Sequence, residues 1–235
     1  MEFEWWWLFW MVPLAVIPLF GVLVIAVGLW EKHPIQPFAV PEKGQEPTET
    51  DYARRMNDAA EDSRYDYLGV ARDNRGGLYG LRFDFWASAD RSVFVVVCGG
   101  KLARIPYKGT WVYSPLPDDR TLTTTDDIGS ADISGASEMH IWPNASFRQL
   151  LNRHIDRLEE LTDEPLPFAM EDPLRAFIAI RARRAEMLVE RGLGKYTDSE
   201  RTAVRYTFRG AVRYYVVGTW LQPLGRLARS VGLSR

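Results

Sequence analysis

From Trp5 to Trp30 the chain reads WWWLFWMVPLAVIPLFGVLVIAVGLW, 26 residues without a single charge. A helix of that length spans roughly 39 Å at 1.5 Å per residue, enough for a hydrocarbon core of about 30 Å. Trp5, Trp6, Trp7 and Trp10 gather at one end and Trp30 stands at the other, as indole rings do at the two membrane interfaces. Pro13 and Pro18 are tolerable in such a helix because a bilayer offers the backbone nothing better. A cleaved signal peptide fits less well. Glu2 and Glu4 make the leading region acidic, the apolar run is too long, and no small-x-small site precedes Glu31. The expectation is an uncleaved, single-pass transmembrane anchor over residues 1–30. Lys32, Lys43, Arg54 and Arg55 follow it and no Lys or Arg precedes it, which places the remainder in the cytoplasm, at the cell membrane.

Residues 31–50 carry Pro34, Pro37, Pro41 and Pro47 and read as a stiff linker. Beyond it, about 185 residues suffice for one domain with a core of its own. Asp51 to Arg64 has helical spacing, with Tyr52, Met56, Ala59 and Ala60 on one side. The period then changes. Five β-rich runs follow: Tyr67–Arg72, Leu78–Ala87, Ser92–Cys98, Thr110–Ser114 and Thr121–Thr125. Short turn sequences link them, among them Gly99-Gly100-Lys101, which favours an antiparallel meander. Val93 to Val97 is apolar on both faces and suits a central strand covered on each side. Leu81, Phe83, Phe85 and Ala87 alternate with Arg82, Asp84 and Trp86, the pattern of a half-buried strand.

Asp126 to Pro143 is polar and reads as a loop. Ser146 with Gln149 forms a capping-box pattern ahead of a helix to Leu161. Asp172-Pro173 opens a second helix that stops at Gly192 and Gly194. Thr197 or Asp198 caps a third, reaching Val217. The expected fold class is α+β: a transmembrane helix, a five-stranded antiparallel meander packed with several helices, and a helical C-terminal region. In domain terms this gives 1–30 as anchor, 31–50 as linker, 51–170 as the α+β domain and 171–235 as a basic helical region.

The net charge of −2 conceals an uneven distribution. Residues 173–235 hold 13 Arg and Lys against 4 Asp and Glu, net +9, which leaves −11 for residues 1–172. Within the basic part, Arg201, Arg205, Arg209 and Arg213 recur every fourth residue and on a helix would share one ridge. Arg226 and Arg229 continue the basic character among Leu224, Leu227 and Val231. Such an element suits an anionic headgroup region or a partner's acidic face, and equally a solvated face paired within the domain. The expected partners are the lipid bilayer, with a membrane protein complex or anionic lipid. Nucleic acid is disfavoured, since no recognition-module pattern is present and most of the chain is acidic.

Candidate chemistry is sparse. Cys98, the single cysteine, precedes Gly99-Gly100 but has no identifiable base and reads as a buried end of a core strand. His33, His140 and His154 have no metal-site spacing, and His154 falls on an apolar helix stripe. Gly192 to Thr197 resembles a phosphate loop only superficially, because Tyr196 follows Lys195 where Ser or Thr is required. Asn144-Ala145-Ser146 matches a glycosylation sequon. Asp126, Asp127 and Asp132 are carboxylates for acid–base work or a cation, or else solvated loop acids. No cofactor or metal is expected. The leading expectation is a membrane-anchored, non-enzymatic interaction or accessory protein. The alternative is a tethered ligand-binding or enzymatic domain with a cleft lined by Phe83, Phe85, Trp86, Trp111 and Tyr113.

Overall fold

The structure, a computed structural model, describes residues 21–22, 25–27, 29–30, 32–73, 79–102, 104–117, 119–127, 130–161, 164–168 and 172–217. They fall into two compact units. One is Ile35–Met187; the other joins residues up to Pro34 with those from Leu188 onward.

The larger unit is built on a seven-stranded sheet. In chain order its elements are β2 (Phe38–Ala39), α1 (Asp51–Asp62), β3 (Asp66–Asp73), β4 (Tyr79–Ala87), β5 (Phe94–Leu102), β6 (Ile105–Pro115), β7 (Thr121–Thr125), β8 (Ser137–Ile141) and α2 (Phe147–Glu160). α3 (Pro173–Glu190) follows. The strands lie in the order β2-β3-β4-β5-β6-β7-β8. Every neighbouring pair is antiparallel except β7 with β8, which run parallel from Thr121↔Ser137 to Thr125↔Ile141.

β5 holds the middle of this order, and Val95, Val96, Val97 and Cys98 on it are wholly buried. Its alternate residues feed two separate cores. Phe94, Val96 and Cys98 pack with Phe83, Phe85, Tyr113 and, from α3, Phe177 and Ile180. Val95 and Val97 pack on the opposite face with Val112, with Ala53, Met56 and Ala60 of α1, and with Phe147 and Leu150 of α2. The result is a mixed sheet with helices on both faces.

The helices begin where local chemistry allows. Thr50 caps α1 by accepting from the Ala53 amide, and Ser146 closes a reciprocal capping box with Gln149 on α2. α1 rests on the sheet at Gly99, where a Cβ would run into Thr50 Oγ1 and approach Ala53 Cβ at 3.2 Å. Gly100, at φ +149°, faces the Gly80 backbone just as tightly.

Several expectations are corrected. The five-stranded antiparallel meander is a seven-stranded mixed sheet. All five expected strands are present, but β2 comes from the proline-rich stretch and β8 from the presumed loop. Gly99-Gly100 is no turn. The strand runs through it to Leu102, because glycine inside a strand also marks close backbone approach. β4 is covered on both faces: Asp84 is fully buried beneath the Arg82 guanidinium, with Nη2 2.8 Å from Oδ1 and Nε 2.9 Å from Oδ2. Trp86, on the same face, donates from Nε1 to Asn57 Oδ1 of α1 at 2.9 Å.

The transmembrane helix is also corrected. Among the described residues no helix is long and apolar enough to cross a membrane. Gly21 is buried against protein, so that a Cβ on it would come within 2.9 Å of the Tyr215 ring. The membrane-spanning, single-pass description therefore does not stand. Trp30 is 80% exposed, and Trp5, Trp6, Trp7 and Trp10 lie outside the described residues.

The smaller unit holds a three-stranded antiparallel sheet in the order β1-β10-β9, with β1 at His33–Pro34, β9 at Gly194–Tyr196 and β10 at Ala203–Tyr206. α4 (Phe208–Tyr215) follows, capped by Thr207. The helix expected from Thr197 to Val217 is thus a hairpin and a short helix. The cap-like Asp198 closes a turn instead, accepting from the Thr202 amide at 2.8 Å, while Arg201 takes φ 58°.

At the edge of the larger sheet, β3 pairs with β2 only at Arg72 and Asp73. Its register with β4 slips between Tyr67 and Gly69, and Gly69 takes φ +134°.

Gly99→Ala is expected to lower stability by roughly 1–3 kcal/mol, because the added methyl displaces the cap of α1 from the sheet. Hydrogen exchange should show α1 amides losing protection ahead of those in α2. Unchanged protection in α1 would contradict the close approach at Gly99.

Candidate functional site

β7 ends opposite Trp111 of β6, beside α1, and the alternation of side chains along β7 separates the two acids that follow it. Asp126 turns to the face of α1 and α2. Its Oδ2 accepts from the Tyr52 hydroxyl at 2.7 Å and its Oδ1 from the Thr110 amide at 2.7 Å. Tyr52 Oη also lies 2.7 Å from Thr110 Oγ1. Asp127 turns to the other face, where its Oδ2 accepts from Tyr107 Oη at 3.0 Å and from Ser130 Oγ at 2.6 Å. Gly109 gives it room, since a Cβ there would meet Asp127 Cβ at 3.1 Å and the Trp111 ring at 2.8 Å. Two sequential carboxylates thus serve two different cores and do not act as a pair. Asp132 is a turn residue, accepting from the amides of Ser134 at 2.8 Å and Ser137 at 2.7 Å.

Burial lifts the Asp126 carboxyl above its ordinary range, against the lowering effect of its Tyr52 and Thr110 hydrogen bonds. The same burial, reinforced by the neighbouring carboxylate, raises the Tyr52 hydroxyl far above that of a free phenol. Tyr52 is therefore a fixed donor to Asp126 at neutral pH.

A cavity of about 340 Å³ opens next to this network. Tyr52, Arg55, Met56 and Ala59 of α1 form one wall, with Lys108 and Asp126 beside them. Asn144 to Phe147 and Gln149 form the other. The Lys108 ammonium sits 5.4 Å from the centroid of the Tyr52 ring, within cation–π range. The floor is apolar, with Met56 and Phe147 almost fully buried.

The residues anticipated from sequence are placed as follows. Phe83, Phe85, Trp86, Trp111 and Tyr113 are between 1% and 8% exposed and are shared between the two sheet faces, so they are core and do not line the cavity. Cys98 is fully buried, and burial pushes its thiol well up, away from a nucleophilic thiolate. Asn144 lies exposed on the cavity rim at φ 58°. His33 stacks on Tyr206 at 4.8 Å in the smaller unit. His140 Nε2 lies 2.9 Å from Glu138 Oε1, which also accepts from Arg157 Nε at 2.6 Å. No cluster of metal-binding side chains occurs among the described residues.

His154 is the most enclosed titratable group on α2. Ser114 Oγ donates to the Ser92 carbonyl at 2.7 Å and therefore accepts from His154 Nε2, 3.0 Å away. Nδ1 is left to accept from the Thr124 hydroxyl at 3.0 Å. The ring is held neutral, its pKa brought down to about 3 by burial and by nearby His140.

The arginine ridge does not form. Arg201 lies in the β9–β10 turn with its guanidinium 5.3 Å from the Tyr196 ring, and Arg205 lies on β10 directly opposite Lys195. Only Arg209 and Arg213 share a helix, both exposed on α4. Arg226 and Arg229 lie outside the described residues.

No protein-family model, curated protein or solved structure matches the chain.

The neutral His154 makes the fold acid-sensitive. Its pKa is lower folded than unfolded, so the unfolded chain binds more protons and stability falls as pH drops from about 6.5 towards 3. By pH 4.5 the loss amounts to about 2–3 kcal/mol. Urea unfolding at several pH values should show this slope, and His154→Asn should flatten it. An equal slope in both proteins would mean that another group carries the acid sensitivity.

Proposed function

We propose that the chain is a non-enzymatic interaction or accessory protein that works by recognition, with the cavity beside Asp126 as its receptor site. The observation that carries this reading is that the single carboxylate lining the cavity, Asp126, is engaged in joining α1 to β6 and has no catalytic partner beside it among the described residues. It is the carboxylate on the cavity wall, and each of its oxygens already holds a donor, one from Tyr52 and one from the Thr110 backbone. Proton-transfer chemistry commonly pairs such a carboxylate with a second acid or base, and the residues lining the cavity include no His, Cys or second carboxylate. Asp126 is spent on joining α1 to β6, which leaves the cavity offering shape, an apolar floor and charge. Cys98 and His154, the other groups with catalytic chemistry considered above, are enclosed in the core.

The enzymatic alternative with an aromatic cleft has less support, because its five aromatic residues pack inside the two cores. The recognition reading does not depend on the segment from Trp5 to Trp30.

Ala59 lines the cavity and is only partly buried, so Ala59→Trp fills the space while the core beneath stays intact. Native mass spectrometry of the full chain, isolated gently from its own cells, should show a bound species on the wild type that is missing from Ala59→Trp. The released species should be chemically unaltered after incubation with fresh protein. A species converted by the protein, or one retained equally by the variant, would overturn the reading.

A further inference from the structure

We infer that the cavity takes a small organic anion: a carboxylate or phosphate carried on a flat, apolar body about one aromatic ring in size. The inference rests on the cavity being the recognition site and adds the chemistry of its occupant.

The first argument is charge. Two cations line the cavity, Arg55 and Lys108, and both are exposed at its mouth. Arg54, one residue earlier on α1, pairs with Glu49 and Asp51 at 3.5 and 3.6 Å. Arg55 and Lys108 pair with no carboxylate among the described residues. Asp126 supplies one negative charge on the same wall, its oxygens accepting from Tyr52 and the Thr110 amide. Two cations against one hydrogen-bonded carboxylate leave the wall net positive. A guanidinium and an ammonium lining one cavity suit a planar or tetrahedral oxyanion, the first by its fork of donors and the second as a point charge.

Shape gives the second argument. Tyr52 presents its ring to the cavity with Lys108 already 5.4 Å from the centroid, while Met56, Ala59 and Phe147 supply apolar surface. An apolar cavity of about 150 Å³ is enough to take up benzene. The 340 Å³ found here accommodates one ring with its charged head and little more.

The test is titration calorimetry of the full chain at low salt. The probes are phenyl phosphate and benzoate, with benzyl alcohol as the uncharged control and inorganic phosphate as the control lacking a body. At least one aryl anion is expected to bind saturably and at least tenfold more tightly than either control. Arg55→Gln and Lys108→Gln, both exposed and so neutral for folding, should each weaken it roughly three- to tenfold. A preference for phenyl phosphate over benzoate, or the reverse, decides between the two head groups. Equal binding of benzyl alcohol, equal binding of inorganic phosphate, wild-type affinity in both variants, or no binding of any probe would overturn the inference. If no aryl anion binds while Ala59→Trp still loses the native species, the ligand class is wrong and the recognition reading survives. If aryl anions bind to Ala59→Trp as to the wild type, the cavity itself is the wrong site.

Discussion

The architecture turns on a strand that cannot tolerate water on either side. β5 presents Phe94, Val96 and Cys98 to one face and Val95 and Val97 to the other, all fully buried. Such a strand requires a layer above and a layer below it. α3 supplies one, with Phe177 and Ile180, and α1 with α2 supply the other. Once β5 is central, β4 and β6 must flank it along their whole lengths, and their own outward residues are drawn under the helices too. This is why the buried Asp84 is paired with a partly exposed Arg82 and why Trp86 finds Asn57. Polar side chains on a twice-covered sheet need partners at hand, since an unpaired group there is costly.

The same requirement organises the receptor site. α1 is fixed at its N-terminal end by the Thr50 cap over Gly99 and, one residue into the helix, by Tyr52 reaching Asp126 and Thr110. These contacts set the distance between α1 and the start of α2. The capping box at Ser146 sets where α2 begins. The cavity is the space left between two helix starts that are each anchored independently. Tyr52, Arg55, Lys108 and Gln149 therefore sit on regular elements, which hold geometry better than loops do, and Asp126 follows directly on β7.

Much of the sheet was legible because hydrophobic period is a strong local signal. Val93 to Val97 announced a twice-covered strand, and the helices after Ser146 and Asp172 announced themselves through caps. The failures share a cause: the deciding partner lay far away in the sequence. Gly99-Gly100 looks like a turn until Thr50 and Gly80 are placed against it. The Asp126–Pro143 stretch looks like a loop until β7 offers an edge to Ser137–Ile141. Arg201 to Arg213 looks like a helical ridge until β10 pairs with both β1 and β9 and breaks the period. The cavity was illegible for the same reason, because Tyr52, Lys108 and Asp126 are brought together only by the fold. One signal was available. Tyr52 stood on the predicted inner side of α1 carrying a hydroxyl, and a buried phenol generally has a hydrogen-bond partner. Asp126, at the end of a threonine-rich strand, was a ready acceptor.

The irregular outer margin of β3 bears on how copies of this molecule meet one another. From Asp66 to Ala71 its outer edge pairs with no strand among the described residues, which in a straight strand would be an open invitation to templated growth. The slip between Tyr67 and Gly69 throws that row out of phase, and the glycine twists it away from the plane. A second chain laid alongside would lose step at the bulge. The bulge thus acts as a guard against fibrillar stacking, placed where the sheet is least protected.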